Sequence, residues 1–313
     1  MNCKIIAEFC QNHNGSQETL KQMIHEAANN GADFAKIQSL RSSDLVFRER
    51  FEAGEFNSDG STRTIKRPFK AEQERLKKLD LSDAQEAWFV DECKRAGIKS
   101  MITVFTRYSA DRIAAAGFDS VKIASYDCKS TSLLVEVAER FDQILVSTGA
   151  TYDHEVENAE KIFKPGQASF LHCVTIYPTP LEQLHLNRML WLKRFSKKVG
   201  FSDHTSPQNS GLKASKLAIH LGASYLERHF TVLSRDETRD GPVSISPIEL
   251  RKLKEFTQIE PENQKSQLID EWPDWQVGLG QTNRELSDTE KLNRDYYSGR
   301  VAAWVGDLQV QND

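Results

Sequence analysis

The sequence predicts a single (β/α)8 barrel, a closed ring of eight parallel strands that alternate with helices. Three observations carry this expectation. Short apolar runs of strand length alternate with amphipathic helical stretches eight times between residue 4 and about residue 257. Strands separated by helices pair in parallel, because each helix carries the chain back across the sheet. At 313 residues the chain can close one such ring around a sizeable core. No Gly-rich dinucleotide turn follows the first strand, which disfavours the competing open, doubly wound sheet.

The first strand is expected at residues 4–9. The helix after it starts at Ser16, a suitable N-cap, and carries Leu20, Met23, Ile24 and Ala27 on one face before closing ahead of Gly31. The second strand is 34–38, and a long excursion separates it from a helix at 83–96 and a third strand at 99–104. Helix 110–116 leads to strand 120–123, helix 131–140 to strand 143–148, and helix 154–163 to strand 168–173. Helix 182–195 leads to strand 198–201, and helix 207–220 to the eighth strand at 225–230. A last helix opens near Pro247 and Glu249.

Residues 1–257 are thus expected to form the barrel, with two regions outside the repeat. Residues 39–80 form a long connection, polar and Gly-rich at 54–62, then basic and helical at 69–78. Connections this long inside a compact unit are usually functional or mobile. This one leaves the catalytic end of a strand, so a lid is one reading and a surface elaboration the other. Residues 258–313 begin polar and are expected to pack on the barrel as an irregular extension, ending in an aromatic and basic cluster at 296–300.

Composition excludes several classes. A net charge of -4 gives no nucleic-acid surface. No apolar run reaches membrane-spanning length, and the chain starts almost directly in a strand, so no signal peptide is visible. Five cysteines, Cys3, Cys10, Cys93, Cys128 and Cys173, are odd in number and lack metal-type spacing. They read as reduced thiols of a cytoplasmic protein.

Function is sought at the carboxyl ends of the strands, which converge on one face in such barrels. His204 and His229 close the last two strands, with Asp203 and Glu227 beside them. One histidine alone would be an ordinary hydrogen-bonded rim residue. Two on neighbouring strand ends point to a metal held by few protein ligands and open to substrate. The other strand ends add Glu8, Lys36, Gln38, Thr103, Lys122, Ser125, Asp127, Ser147, Tyr177 and Ser202. A buried ammonium without a partner is costly, so Lys36 and Lys122 face either local carboxylates (Glu8, Asp33, Asp127) or an anionic substrate. Both together, with serines on adjacent strand ends, favour a phosphate or carboxylate cradle. A Schiff-base aldolase is another use of Lys122.

Seven segments run in order along the chain: Ala7-Glu-Phe-Cys-Gln-Asn-His-Asn-Gly15, Ala35-Lys-Ile-Gln38, Val121-Lys-Ile-Ala-Ser125, Val146-Ser-Thr-Gly149, His172-Cys-Val-Thr-Ile-Tyr-Pro-Thr-Pro180, Phe201-Ser-Asp-His-Thr205 and Leu226-Glu-Arg-His-Phe230. Together they resemble the sialic acid synthase family, which spans N-acetylneuraminate, legionaminate and pseudaminate synthases. The similarity covers residue 4 to about 257 and returns weakly at 290–300. The resemblance implies condensation of phosphoenolpyruvate with an N-acetylated amino sugar in its open aldehyde form. It also implies a divalent metal, Mn2+ foremost with Mg2+ or Co2+ as alternatives, and a homodimer.

Carried over position by position, the resemblance makes His204 and His229 metal ligands. It places Lys36, Gln38, Thr103, Lys122, Ser125, Ser147 and Ser202 around phosphoenolpyruvate, and Glu8 and Tyr177 near the sugar. Asp127 stands where the family usually has a Glu near the reacting centre, and Glu227 matches a carboxylate beside the second histidine. Either Asp127 or Glu8 would steer or deprotonate the water that captures carbon 2.

Two departures stand out. Many family members carry Gly-Pro-Asp-His after the eighth strand, with the Asp on the sugar; here Val243 takes that place, and Asp240 is a shifted substitute. This points to a less hydroxylated acceptor, such as a 6-deoxy di-N-acetyl relative of N-acetylmannosamine. Second, the family usually continues into a small antifreeze-protein-like domain that lends an arginine to the partner subunit, and this chain ends at Asp313, where that domain would start. The connection, with Arg63, Lys66 and Arg67, is then the expected lid, and the tail with Arg300 the alternative. Two further readings remain: a metal-dependent barrel aldolase using a free 2-keto acid, and a sugar-phosphate-binding barrel without turnover.

Overall fold

Eight strands close a parallel ring in the computed structural model, which describes residues 3–312. They are β1 Lys4–Glu8, β2 Phe34–Gln38, β3 Lys99–Val104, β4 Ser120–Ile123, β5 Ile144–Ser147, β6 Ala168–Cys173, β7 Val199–Asp203 and β8 Tyr225–His229. Neighbours follow chain order, and β8 pairs with β1 to complete the barrel. Among the described residues no helix is long and apolar enough to cross a membrane.

Side chains two residues apart on a strand face the same way, and this period builds the site. Ile6, Phe34, Met101, Leu145, Leu171 and Tyr225 are buried together as an apolar plug inside the ring. Each contributes about 1.5–3 kcal/mol by leaving water. Two residues further along the same six strands stand Glu8, Lys36, Thr103, Ser147, Cys173 and Glu227. The same step in β4 and β7 leads from Ser120 to Lys122 and from Gly200 to Ser202. A polar layer therefore rests directly on the plug. Gly200 makes room for the plug residue Tyr225: a Cβ there would lie 2.5 Å from the Tyr225 carbonyl oxygen.

The outer helices start and stop on local signals. Ser16 accepts the Thr19 N–H at 3.1 Å ahead of Gln17–Asn29. Ser82 and Gln85 form a capping box for Asp83–Ala96, which Gly97 ends at φ 73. Ser246 and Glu249 do the same for Pro247–Phe256.

Two expected helices differ. The stretch 182–195 holds only a 3-10 turn at Leu181–Gln183 and a short helix at Arg188–Leu192. Between them the Leu186 and Asn187 N–H groups bond instead to the Gly278 and Leu279 carbonyls at 3.0 and 2.9 Å. The stretch 207–220 is split into Pro207–Ser210 and Lys213–His220 by Gly211 at φ 59.

The region expected to be irregular is ordered. Helix Pro261–Glu271 packs on Lys213–His220, and helix Asp288–Tyr297 starts at a Ser287–Glu290 capping box. The second helix is fastened over the strand ends: Asn293 donates to the Thr175 carbonyl at 2.7 Å, and Arg294 to the Ala150 carbonyl at 2.7 Å and Glu155 at 2.9 Å. The 39–80 connection carries a hairpin, Glu55–Phe56 with Thr62–Thr64, and a helix, Phe69–Lys77. Connection and tail are joined by backbone bonds, Val46 N–H to the Arg300 carbonyl at 2.9 Å and Ala302 N–H to the Asp44 carbonyl at 2.8 Å.

Candidate active site

Two ammoniums and two carboxylates share the polar layer. The Lys36 ammonium is paired with Glu8 Oε2, donates to Thr103 Oγ1 at 2.9 Å, and stands 3.6 Å from Glu227 Oε2. Lys122 is paired with Glu227 Oε1, which also accepts from Ser202 Oγ at 2.7 Å. Glu8 Oε1 accepts the Cys10 backbone N–H at 2.7 Å. Register explains the meeting: Glu8 lies opposite Lys36 on β2 and His229 on β8, and Glu227 lies opposite Ser202. Burial pushes Lys36 down to about 7, with Glu227 pulling the other way. Against burial, Lys122 and Lys36 hold the Glu227 carboxyl well below the usual carboxylate range.

The histidines stand beside this network, their ring centroids 5.4 Å apart. His204 Nδ1 lies 2.9 Å from the Val174 carbonyl. Donation to that oxygen assigns the proton to Nδ1 and leaves the Nε2 lone pair available. Burial pushes His204 down to about 4 and His229 well below its ordinary value, so both rings are neutral near pH 7, the form that ligates metals. The half-exposed Tyr177 ring packs 4.2 Å from the His204 ring. Asp203, next to His204 in sequence, turns away from the site. It pairs with buried Arg228 at 2.7 Å and accepts Ser215 Oγ at 2.5 Å, a brace between β7 and β8.

A cavity of about 480 Å³ opens above the layer. Glu8, Lys36, Gln38, Thr103, Lys122, Ser125, Ser147, Tyr177, Ser202, His204, Glu227 and His229 all line it. Ser147 Oγ is buried there without a hydrogen-bond partner, which marks it as a group for a ligand, and the Asp240 carboxylate meets the Cys10 thiol. Asp127 is not part of the lining. Its carboxylate accepts from Asn312 Nδ2 at 3.1 Å and Ser130 Oγ at 3.4 Å, so it ties the tail to the turn after β4. Of the two carboxylates expected to steer water, Glu8 is the one on the cavity.

Several lining residues were not singled out by sequence. Cys10 follows β1, and Arg75 and Glu72 come from the connection helix. Thr289 and Asn293 come from the tail, as do Tyr297 and Arg300, which belong to the aromatic and basic cluster that the sequence did mark. Glu72 is a hub that accepts from Arg300 at 2.7 Å, pairs with Arg75 at 2.7 Å, and has Arg239 at 3.7 Å. Arg67 lines the cavity, but Arg63 and Lys66 do not; Arg63 sits on the exposed hairpin beside Glu55. The tail therefore covers the mouth together with the connection, where the connection alone was expected. Val243 is buried away from the cavity, its carbonyl accepting from Arg228 at 3.2 Å, while Asp240 lines it. The expected apolar contact at Val243 is thus replaced by a carboxylate three residues earlier.

Fold and site together define a barrel enzyme that works at the carboxyl ends of its strands. The chain belongs to the NeuB family, whose model matches residues 23–265. It is 30% identical over 263 residues to N,N'-diacetyllegionaminic acid synthase of Campylobacter jejuni, covering 80% of this chain and 73% of that protein. It is 29% identical over 266 residues to the synthase of the same name from Legionella pneumophila, covering 82% and 71%. Among solved structures it resembles the N-acetylneuraminic acid (sialic acid) synthetase of Leptospira borgpetersenii in complex with citrate. The TM-score there is 0.70 at 25% identity, over 95% of this chain and 91% of that one.

Proposed function

We propose that the protein condenses phosphoenolpyruvate with the open aldehyde form of an N-acetylated amino sugar, giving a nonulosonic (sialic-type) acid and phosphate. The observation that carries this reading is one cavity holding the buried Lys36–Lys122 pair below and the neutral His204–His229 pair at its side. Six cationic side chains line it (Lys36, Lys122, Arg67, Arg75, Arg239, Arg300) against four carboxylates (Glu8, Glu72, Glu227, Asp240), an excess that suits a multiply charged anion. The relatives' names place sialic-type acids in the same family.

The residues also fit a divalent ion. His204 has Nε2 available, His229 lies beside it, and an Asp240 carboxylate oxygen lies within 4.8 Å of a His229 ring nitrogen. Held there, a divalent ion would supply Lewis acidity toward the aldehyde oxygen. The rest of the reaction falls to the chain's own groups. Lys36, Lys122 and the Ser147 and Ser202 hydroxyls hold the phosphate and carboxylate of phosphoenolpyruvate. Carbon 3 forms the new bond to the aldehyde carbon, and water captures the positive charge left at carbon 2. Glu8, the carboxylate on the cavity, takes that water's proton. The tetrahedral intermediate then breaks its carbon–oxygen bond, and the lysines stabilise the departing phosphate.

A panel of N-acetylated amino sugars, each offered with phosphoenolpyruvate or with pyruvate, tests this. Nonulosonic acid should form from phosphoenolpyruvate alone. Product from pyruvate, or pyruvate trapped by borohydride on Lys36 or Lys122, would make the protein an aldolase.

The cover over the mouth gives a second expectation. Arg300→Met should raise the acceptor KM at least about tenfold, the lower end of losing a hydrogen bond to a charged group. The KM for phosphoenolpyruvate should stay within about twofold, because the lysine layer is untouched. Equal shifts in both constants, or none, would take the tail out of acceptor binding.

A further inference from the structure

The sequence gives Cys10 no metal-type spacing, but the fold gives it company. Its Sγ, a ring nitrogen of His229 and a carboxylate oxygen of Asp240 all lie within 4.8 Å of one another. Three separate features hold them there. Cys10 follows β1 and His229 ends β8, two strands paired so that Glu8 faces His229. The chain turns at Cys10 with φ 44, a conformation that residues other than glycine seldom take, and its N–H is fixed to Glu8 Oε1 at 2.7 Å. Asp240 sits on a loop pinned from both sides. Its carbonyl accepts from the Ser244 hydroxyl at 2.6 Å, and the Ser244 Oγ in turn accepts from Asn12 Nδ2 at 2.9 Å. The Asp240 carboxylate meets the Cys10 thiol directly, so two of the three groups already face each other.

We propose that Cys10 and Asp240 complete the metal centre of this chain, giving it sulfur, nitrogen and oxygen ligands that select Zn2+ or Co2+ over Mn2+ or Mg2+. The inference rests on the reading of His204 and His229 as metal-binding and adds two ligands through His229, the histidine whose ring nitrogen lies within 4.8 Å of both; His204 stands outside that group of three. A thiolate shifts preference from hard ions toward borderline ones. On binding, the Cys10 thiol gives its proton to solvent, so metal uptake releases one proton that a site of neutral histidines and a carboxylate would not. The backbone strain at Cys10 has a reason in this account, because the turn sets a thiol where an unstrained residue would leave none.

Cobalt titration of the chelated full chain tests it. Wild type should show visible d–d bands together with a near-ultraviolet thiolate-to-cobalt charge-transfer band. Cys10→Gly suits the left-handed turn, so its fold should survive, as circular dichroism will check. It should keep the d–d bands, lose the charge-transfer band, and lose at least about tenfold of the Zn2+ over Mn2+ preference, the scale on which ligand surroundings tune a metal site. Wild-type d–d bands without charge transfer would overturn the cysteine ligand and leave the histidine reading standing. No cobalt spectrum at all would overturn both.

Discussion

Glu227→Ala should lower stability by about 3–5 kcal/mol, the range found when one partner of a buried ion pair is removed. Its carboxylate is paired with Lys122, stands 3.6 Å from the Lys36 ammonium, and accepts the Ser202 hydroxyl. Deleting it leaves Lys122 with no carboxylate and Lys36 with Glu8 alone. The side chains themselves are almost wholly buried, so water cannot replace the lost charge. Phosphoenolpyruvate brings carboxylate and phosphate charge to the same place. Its stabilising effect on the melting temperature should therefore be larger in the variant than in wild type. An unchanged urea midpoint, or equal stabilisation by phosphoenolpyruvate in both proteins, would show that the network does not carry the charge balance assigned to it.

The second large effect concerns the histidine pair. His204→Ala or His229→Ala should reduce turnover at least about a thousandfold, since a lost Lewis acid removes several kcal/mol of transition-state stabilisation. Stability should change much less than in Glu227→Ala, because neither ring belongs to the ion network and both face the cavity. Chelated wild type should match the variants, and added divalent ion should restore wild type only. Full activity in either variant, or in thoroughly chelated protein, would remove the metal from the reaction.

The strands were legible because burial on both faces leaves continuous apolar runs, as in Phe34–Gln38, where the reading and the structure coincide. The polar layer was legible for a related reason. Lys36, Lys122 and Glu227 interrupt such runs, and a charge inside an apolar strand has few places to go. The period of two then puts each of them on the plug side. Legibility stopped where local signals stopped. Asp127 sits just past β4, where a 3-10 turn breaks the strand period and aims the side chain at the tail. Asp203 was misplaced by its closeness to His204, although alternation along β7 puts it on the face opposite Ser202. Cys10 and Asp240 meet only through the β1–β8 closure and a loop, and no spacing encodes that. Helix 182–195 failed because distant backbone, Gly278 and Leu279, took over its hydrogen bonds. Nothing local announces that Arg300 will reach Glu72 across 228 residues of chain.

The most direct measurement is phosphate release from phosphoenolpyruvate in oxygen-18 water, run with the metal-loaded full chain with and without the N-acetylated amino sugar. The account predicts release only when the sugar is present, equal in amount to the nonulosonic acid formed, with no solvent label in the phosphate because the carbon–oxygen bond is the one that breaks. Phosphate released without the sugar, or phosphate carrying solvent oxygen, would contradict it.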